Sequence, residues 1–233
     1  EKLIYIIYPV TQWLNKSAET FVDKFNSTYS RIVDKLIKVI ELQPSLIRSS
    51  LIRGSKKADW NSEAINSSVG HIVQILFSDY RLNQLNKGEK LPEDWVRQVE
   101  RLLVLPDDLH RYALVILARQ LNWLFYRDKS WVEKNLLSVL KANSGADKEA
   151  FWGSFLWACK MPNQSLYIRL KPYMLNLTGV DKVSNSELGQ TLSGIILAGW
   201  GSNQEGTNEC YVSDDELHGV ILNADDDFRC HLI

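Results

Sequence analysis

Apolar and polar residues alternate with a helical period along most of the chain. In the first segment, apolar residues recur every three or four positions and form one stripe: Trp13, Leu14, Ala18, Phe21, Val22 and Phe25. The next segment repeats this spacing with Ile32, Val33, Leu36, Val39 and Ile40. This spacing is typical of amphipathic helices. The run LIYIIY fits a strand or the end of an earlier helix, and Pro9 is expected to end it.

Prolines divide the second half of the chain into further predicted helices. Pro106 separates two of them, and Asp107 and Asp108 fit the first turn of the later helix. Pro162 stops another helix, and Pro172 is expected to kink or split the one that follows. Helices of about 12 to 20 residues with short connections favour antiparallel pairs that stack side by side. The sequence therefore predicts an all-α, HEAT-like array that resembles an α-solenoid.

The segment DWNSEAINSSVGHIVQILFSDY, residues 59–80, reads as one long helix that Asp59 caps. Asn66 and Gly70 are four residues apart and would then share one face. A glycine at this position lets a neighbouring helix come close, and the asparagine can bond exposed backbone. A functional role for Asn66 is the alternative.

Composition limits the partners of the chain. Its 27 basic and 28 acidic residues give a net charge of -1, which argues against a nucleic acid or an acidic membrane surface as partner. Four basic residues nevertheless lie close together and form either a solvated connection or a local binding patch: Arg48, Arg53, Lys56 and Lys57. No apolar run is long enough to span a membrane, and the odd number of cysteines favours the reducing cytoplasm.

Motifs that carry chemistry are missing from the sequence. It has no Gly-rich phosphate loop, no G-x-S-x-G elbow and no HExxH. Cys210, His218, Cys230 and His231 have the right chemistry for zinc, but their spacing matches no compact motif. We therefore predict no catalytic residue, no cofactor and no metal. A metal-binding or nucleic-acid-binding accessory module of a nuclease-type effector is the alternative.

Four stretches resemble a known family. These stretches are AINSSVG, RYALVILARQLNWLFYRDKSWVEKNLLSVL, DKEAFWGSFLWACKMPNQSLYIRLKPYML and VSDDELHGVILNADDDFRCHLI. They resemble the large C-terminal helical region of bacterial anti-phage defence proteins, notably the defence-associated sirtuins. The first stretch is similar to an AIN-x-P-x-G signature and departs from it at Ser68, where proline is expected.

The resemblance implies a sensor or scaffold without catalytic activity of its own. Such a region would recognise a phage protein and control an N-terminal effector, which in that family is a sirtuin-like domain that cleaves NAD. Residues 1–233 would form a single helical-repeat region cut from a longer protein, with scope for a homo-oligomer. The sequence predicts a loop or a gap at residues 201–212. Six residues are candidate partner contacts, two in this loop and four in the basic group: Asn203, Gln204, Arg48, Arg53, Lys56 and Lys57.

Overall fold

The computed structural model describes residues 3–51, 57–158, 160–178 and 187–232. These residues form helices, turns and two isolated β-bridges, with no strand among them, which confirms the all-α prediction. The chain divides into two compact units, Glu1–Ser154 and Phe155–Ile233. The prediction of a single helical-repeat region over residues 1–233 stays a prediction.

The first unit contains most of the helices. They are α1 (Leu3–Leu42), a 3-10 turn (Pro44–Leu46), α2 (Trp60–Ile65), α3 (Ser68–Phe77), α4 (Tyr80–Gln84), α5 (Glu93–Leu103), α6 (Asp108–Arg119), α7 (Leu121–Arg127), α8 (Lys129–Asn135), a second 3-10 turn (Leu137–Lys141) and α9 (Gly145–Trp157). The boundary between the units falls inside α9. The second unit continues with α10 (Gln164–Leu175), α11 (Glu187–Trp200), α12 (Asp214–Asn223) and α13 (Asp226–Cys230).

Helix α1 passes through Pro9, so the expectation that Pro9 ends the first apolar run is wrong. The proline removes one backbone hydrogen bond. Tertiary packing outweighs this loss, because Ile7 and Leu14 on either side of Pro9 are buried and α1 packs along α3. The two predicted helices before residue 42 are therefore one helix. Trp13, expected on the buried stripe, is 56% exposed.

The segment 59–80 is not one helix, which corrects the prediction. Helix α2 ends at Ile65, and Ser67 caps α3 by accepting a hydrogen bond from the backbone N–H of Gly70. Asn66 donates its side-chain amide to the Ser62 carbonyl in α2, so it does not bond the backbone at Gly70. Asn66 and Gly70 therefore lie in different elements. The predicted close approach is confirmed, because Gly70 packs against the end of α2.

Helix α6 forms the centre of the first unit. It contacts α2, α3, α5 and α7. Most of its side chains are buried, including the continuous run Tyr112–Ala118. A helix that is apolar on all sides needs neighbours on all sides. Because four other helices of the unit contact α6, it holds their packed faces together.

Large aromatic rings in an all-helical chain are expected to seal the joints between neighbouring helices, and burial of the tryptophans agrees with this expectation only in part. Four of them are less than 9% exposed: Trp60, Trp95, Trp131 and Trp152. Trp95 shows the expected function, because its Nε1–H donates to the Leu76 carbonyl at 3.0 Å and its ring meets Phe77 edge-on. By contrast, Trp157 and Trp200 are 51% and 43% exposed.

The second unit has a smaller core. Tyr167, Leu170 and Met174 of α10 are fully buried. Tyr167 reaches α11, where its hydroxyl donates to the Ile195 carbonyl at 3.2 Å. Helix α10 continues through Pro172 without being split, and the buried residues on both sides of the proline explain why packing can hold it together. The short helix α12 begins with a capping box formed by Ser213 and Glu216.

Candidate functional site

A cleft of about 560 Å³ lies in the first unit, between the 3-10 turn after α1 and the first turns of α2 and α6. We call it the α2–α6 cleft. Its lining combines apolar and charged side chains, among them Pro44, Ile47, Arg48, Glu63, Asp107 and Tyr112. Pockets that bind ligands or partners usually have this composition, with a few polar groups placed on an apolar surface.

Glu63 supplies a buried carboxylate to the cleft. The side chain of Asp59 caps α2 by accepting from the Ser62 N–H at 3.1 Å, which places Glu63 in the first turn of the helix. Glu63 is 4% exposed, and the Tyr112 hydroxyl donates to its Oε2 at 3.1 Å. Ser49 donates to the backbone carbonyl of Glu63 at 2.9 Å. These contacts tie the segment before Leu51 to α2 and α6.

Asp107 has an unusual backbone conformation in the wall of the cleft. Its φ is 56° and its ψ is -132°, and it is the one non-glycine residue with positive φ in the described part of the chain. The Leu109 N–H donates to the Pro106 carbonyl at 3.2 Å, so Asp107 is the first central residue of a tight turn. In type II′ turns this position favours glycine.

The carboxylate of Asp107 is also not engaged by any other described residue. It makes no hydrogen bond to the first turn of α6, although it occupies the capping position. Among the described residues it has no ion-pair or hydrogen-bond partner, and the residue is exposed. The strained backbone of Asp107 is therefore not compensated by a hydrogen bond or ion pair of its side chain among the described residues.

An ion-pair network makes the α6 side of the cleft rigid. Arg111 donates to Asp108 at 2.8 Å and to Asp147 of α9 at 2.6 Å, and His110 contacts the same Asp147 oxygen at 3.0 Å. Burial by itself raises the pKa of Asp147, but hydrogen bonds from His110, Ser144 and Arg111 lower it overall. The network holds the start of α6, and hence Asp107, in place.

The structure describes two of the four basic residues that the sequence placed together, Arg48 and Lys57. Arg48 is exposed and lines the α2–α6 cleft, whereas Lys57 is exposed and does not line it. Arg53 and Lys56 lie outside the described residues. Of the two described residues of this predicted patch, Arg48 is the one that lines the α2–α6 cleft.

Asn203 and Gln204 hold the loop of the second unit in shape. The Cys210 thiol donates to Asn203 Oδ1 at 3.4 Å, and Gln204 Nε2 donates to the Cys210 carbonyl at 3.1 Å. Gln204 also lines a second cleft of about 570 Å³, together with Lys171 and Glu216, which form an ion pair at 2.7 Å. The loop closes through an isolated β-bridge between Asn203 and Cys210.

The four residues considered for zinc do not form a metal site in the structure. Within residues 3–51, 57–158, 160–178 and 187–232, no group of three or more His, Cys, Asp or Glu side chains is arranged to hold a metal ion. Cys210 and Cys230 are free thiols, and the His231 ring packs edge-on against Phe228 with their centroids 6.3 Å apart.

Sequence reasoning did not identify Glu63, Asp107 and Tyr112 as one site. The sequence predicts Asp107 at the start of a helix, and Glu63 lies in the first turn of α2, so each carboxylate has a local role that does not point to a shared site. The triplet Pro106–Asp108 is a turn signal, but it does not reveal a positive φ. Only the packing of α2 on α6 brings these residues together.

Within the described part of the chain, no helix is both long enough and apolar enough to cross a lipid bilayer. No protein-family model, curated protein or solved structure matches this chain.

Proposed function

We propose that this chain is a non-catalytic sensor or scaffold region of a cytoplasmic anti-phage defence protein, built as a HEAT-like array. In this proposal it recognises a phage protein and thereby controls an N-terminal effector, which is a sirtuin-like NAD-cleaving domain in the family that the sequence resembles. Two features support the proposal. One is the resemblance of the four sequence stretches, and the other is the helical architecture with a polar cleft between rigid elements.

The conformation of Asp107 carries the proposal. A non-glycine residue at this φ costs about 1–3 kcal/mol, and such residues cluster at binding sites and catalytic sites. Here the strained residue lines the α2–α6 cleft, and its carboxylate has no hydrogen-bond or ion-pair partner among the described residues. Recognition of a partner explains why an aspartate occupies a position that glycine would fill without strain.

The neighbours of Asp107 fit a protein partner. Arg48 adds an exposed guanidinium to the same cleft, and arginine is frequent in the energetically dominant part of protein interfaces. Pro44 supplies apolar surface beside it, whereas Ile47 and Tyr112 line the cleft as buried residues. The Glu63 carboxylate is already bonded by Tyr112, so its first role is to hold the cleft together.

The proposal is tested by co-expressing the tagged chain with individual phage proteins and measuring which of them it retains. We expect the unchanged chain to retain one phage protein. The retained amount of this protein should fall at least tenfold with Asp107→Gly or Arg48→Glu. Asp215→Asn and Arg97→Glu are matched controls, because both residues are exposed and neither lines the cleft. Retention of no phage protein contradicts the sensor role. Equal retention by all variants excludes the cleft as the recognition site.

A further inference from the structure

A second surface of the first unit combines free cations with an exposed aromatic ring. We call it the Tyr126 surface and define it by Lys87, Lys90, Tyr126, Arg127 and Lys129. Two hydrogen bonds from backbone N–H groups bring its parts together. The Gly88 N–H donates to the Tyr126 carbonyl at 3.2 Å, and the Leu91 N–H donates to the side-chain Oδ2 of Asp128 at 3.4 Å. They fix the loop before α5 against the end of α7, although the two segments are far apart in sequence.

Two cations flank the Tyr126 ring. Arg127 Cζ lies 5.4 Å from the ring centroid, and Lys87 Nζ lies 5.7 Å from it. The residue Tyr126 is 45% exposed. The Arg127 guanidinium also lies 5.5 Å from the Trp123 ring. Contacts of this kind orient a cation without neutralising it. The guanidinium is thus held in position while its charge stays available.

The cations of this surface are not held in ion pairs within the described part of the chain. Among the described residues, Lys87, Lys90, Arg127 and Lys129 form no ion pair with a carboxylate. Arg127 Nε is buried and has no hydrogen-bond partner. Other arginines of the unit each hold two carboxylates: Arg81, Arg101 and Arg111.

Glu89, on the same loop, is already engaged. Its carboxylate accepts from the backbone N–H and the side-chain amide of Asn86, at 2.6 and 3.0 Å. Hydrogen bonds from Asn86 lower the pKa of Glu89, and the charge of Arg127 adds a smaller effect. Asp128 is also engaged, because it accepts from the Trp131 N–H and the Ser130 hydroxyl at the start of α8. The Tyr126 surface therefore keeps a positive excess in a chain whose net charge is -1.

We propose that the Tyr126 surface binds an acidic segment of a protein partner. The planar guanidinium of Arg127 can hold a carboxylate through two parallel hydrogen bonds, and Lys87 and Lys129 can pair with further carboxylates beside it. Tyr126 offers a partly exposed ring against which an apolar side chain of the partner packs. This surface differs from the α2–α6 cleft, so the inference goes beyond the proposed function and does not depend on it.

The aromatic and basic residues also suggest a single-stranded nucleic acid, but the observations favour a protein. A nucleic-acid surface needs a basic groove that follows the phosphates and several rings for successive bases. The Tyr126 surface contains one aromatic ring, so it offers no series of rings on which successive bases could stack. Binding of a single-stranded nucleic acid is the competing outcome, and the oligothymidylate probe in the test detects it.

The test measures binding of the full chain to three fluorescein-labelled probes by fluorescence anisotropy. The probes are a short peptide rich in Glu and Phe, the same peptide with Gln in place of Glu, and oligothymidylate. We expect the Glu peptide to bind, the Gln peptide to bind at least tenfold more weakly, and added salt to weaken binding. Arg127→Ala, Lys87→Ala and Tyr126→Ala should each weaken binding of the Glu peptide severalfold.

Two further variants keep the test decisive. Arg127→Lys keeps the charge but removes the planar donor pair, so we expect it to recover only part of the affinity. Arg97→Ala removes an exposed arginine of α5 that has no ion-pair partner among the described residues, and it should bind the probe as the unchanged chain does. Absence of binding to the Glu peptide, or equal binding by the Arg127 and Arg97 variants, overturns the proposal. Tighter binding of oligothymidylate that Arg127→Ala abolishes assigns the surface to nucleic acid and overturns it as well.

Discussion

Gly70 in the first turn of α3 lies directly against the carbonyl oxygen of Ala64 in α2. A Cβ atom added to Gly70 would lie 1.8 Å from this oxygen, far inside contact distance. The contact exists because the chain turns between Asn66 and Ser67, so that α3 starts immediately beside the end of α2. Gly70 is therefore required by the joint between two short helices.

Gly70→Ala should destabilise the protein by about 3 kcal/mol, because the new methyl group meets rigid backbone. The measurement is urea-induced unfolding followed by circular dichroism. Gly153→Ala is the matched control, since Gly153 lies in α9 and no atom stands within 4 Å of its added Cβ. The control should gain about 0.5–1 kcal/mol from its better helix propensity. Similar stability of the two variants would contradict the close approach.

Asp107→Gly should stabilise the protein by about 1 kcal/mol, because glycine adopts a φ of 56° without steric cost. Asp108→Gly should do the opposite, since Asp108 occupies a helical position and pairs with Arg111. Thermal unfolding of both variants compares the two effects. If Asp107→Gly is more stable and yet loses the phage protein in the co-expression assay, the strain serves recognition. A loss of stability would show that the aspartate is held by internal contacts.

Stability should fall below about pH 6.5 because of His71. Burial lowers the pKa of His71, the charge of Lys16 adds to this, and a backbone hydrogen bond at Ile65 opposes it. The unfolded state therefore binds the proton at a higher pH than the folded state, and the free energy of unfolding decreases as the pH falls through the unfolded pKa. The imidazole lies between α1 and α3, 3.2 Å from the Thr11 hydroxyl.

The measurement compares the free energy of unfolding of the unchanged chain and His71→Gln between about pH 7 and pH 5. The variant should lose part of the pH dependence, because it lacks the buried imidazole. Parallel curves would show that the His71 pKa is the same in the folded and unfolded states.

Arg101→Met should destabilise the joint between α5 and α1 by about 1 kcal/mol, and added salt should reduce the loss. Arg101 donates to both Glu41 oxygens at 2.7 and 2.6 Å and also pairs with Asp34, and these side chains are partly exposed. Arg97→Met on the same helix is the control and should have almost no effect. Equal losses in both variants would show that the ion pairs contribute nothing.

The acidic partners of Arg101 add a pH dependence to this prediction. Hydrogen bonds from Arg101 lower the pKa of Glu41, with a smaller opposing effect of burial. A carboxylate with a lowered pKa stabilises the folded state above its unfolded pKa of about 4, and the contribution is lost as the pH falls further. The difference between Arg101→Met and the unchanged chain should therefore shrink in acid.

Local signals in the sequence were sufficient for the helical character of the chain and for several helix ends. Asp59 caps α2 as expected, and the polar segment before α12 ends in a capping box at Ser213 and Glu216. These contacts join residues only three positions apart, so they depend on the immediate sequence alone. The apolar spacing likewise predicted most of the buried stripe of α1, where these residues are buried: Leu14, Ala18, Val22, Val33, Leu36 and Ile40.

Tertiary packing decided the features that local rules left open or predicted wrongly. Burial of the residues around Pro9 keeps α1 intact, and the contact between Gly70 and Ala64 accompanies the break after α2. The α2–α6 cleft joins Arg48, Glu63 and Asp107, and the Tyr126 surface joins a loop to the end of another helix. Helical periodicity specifies which face of each helix is buried, but many helix pairings satisfy the same pattern. Only the packed chain determines which distant side chains meet, because that choice depends on the shape and volume of the whole core.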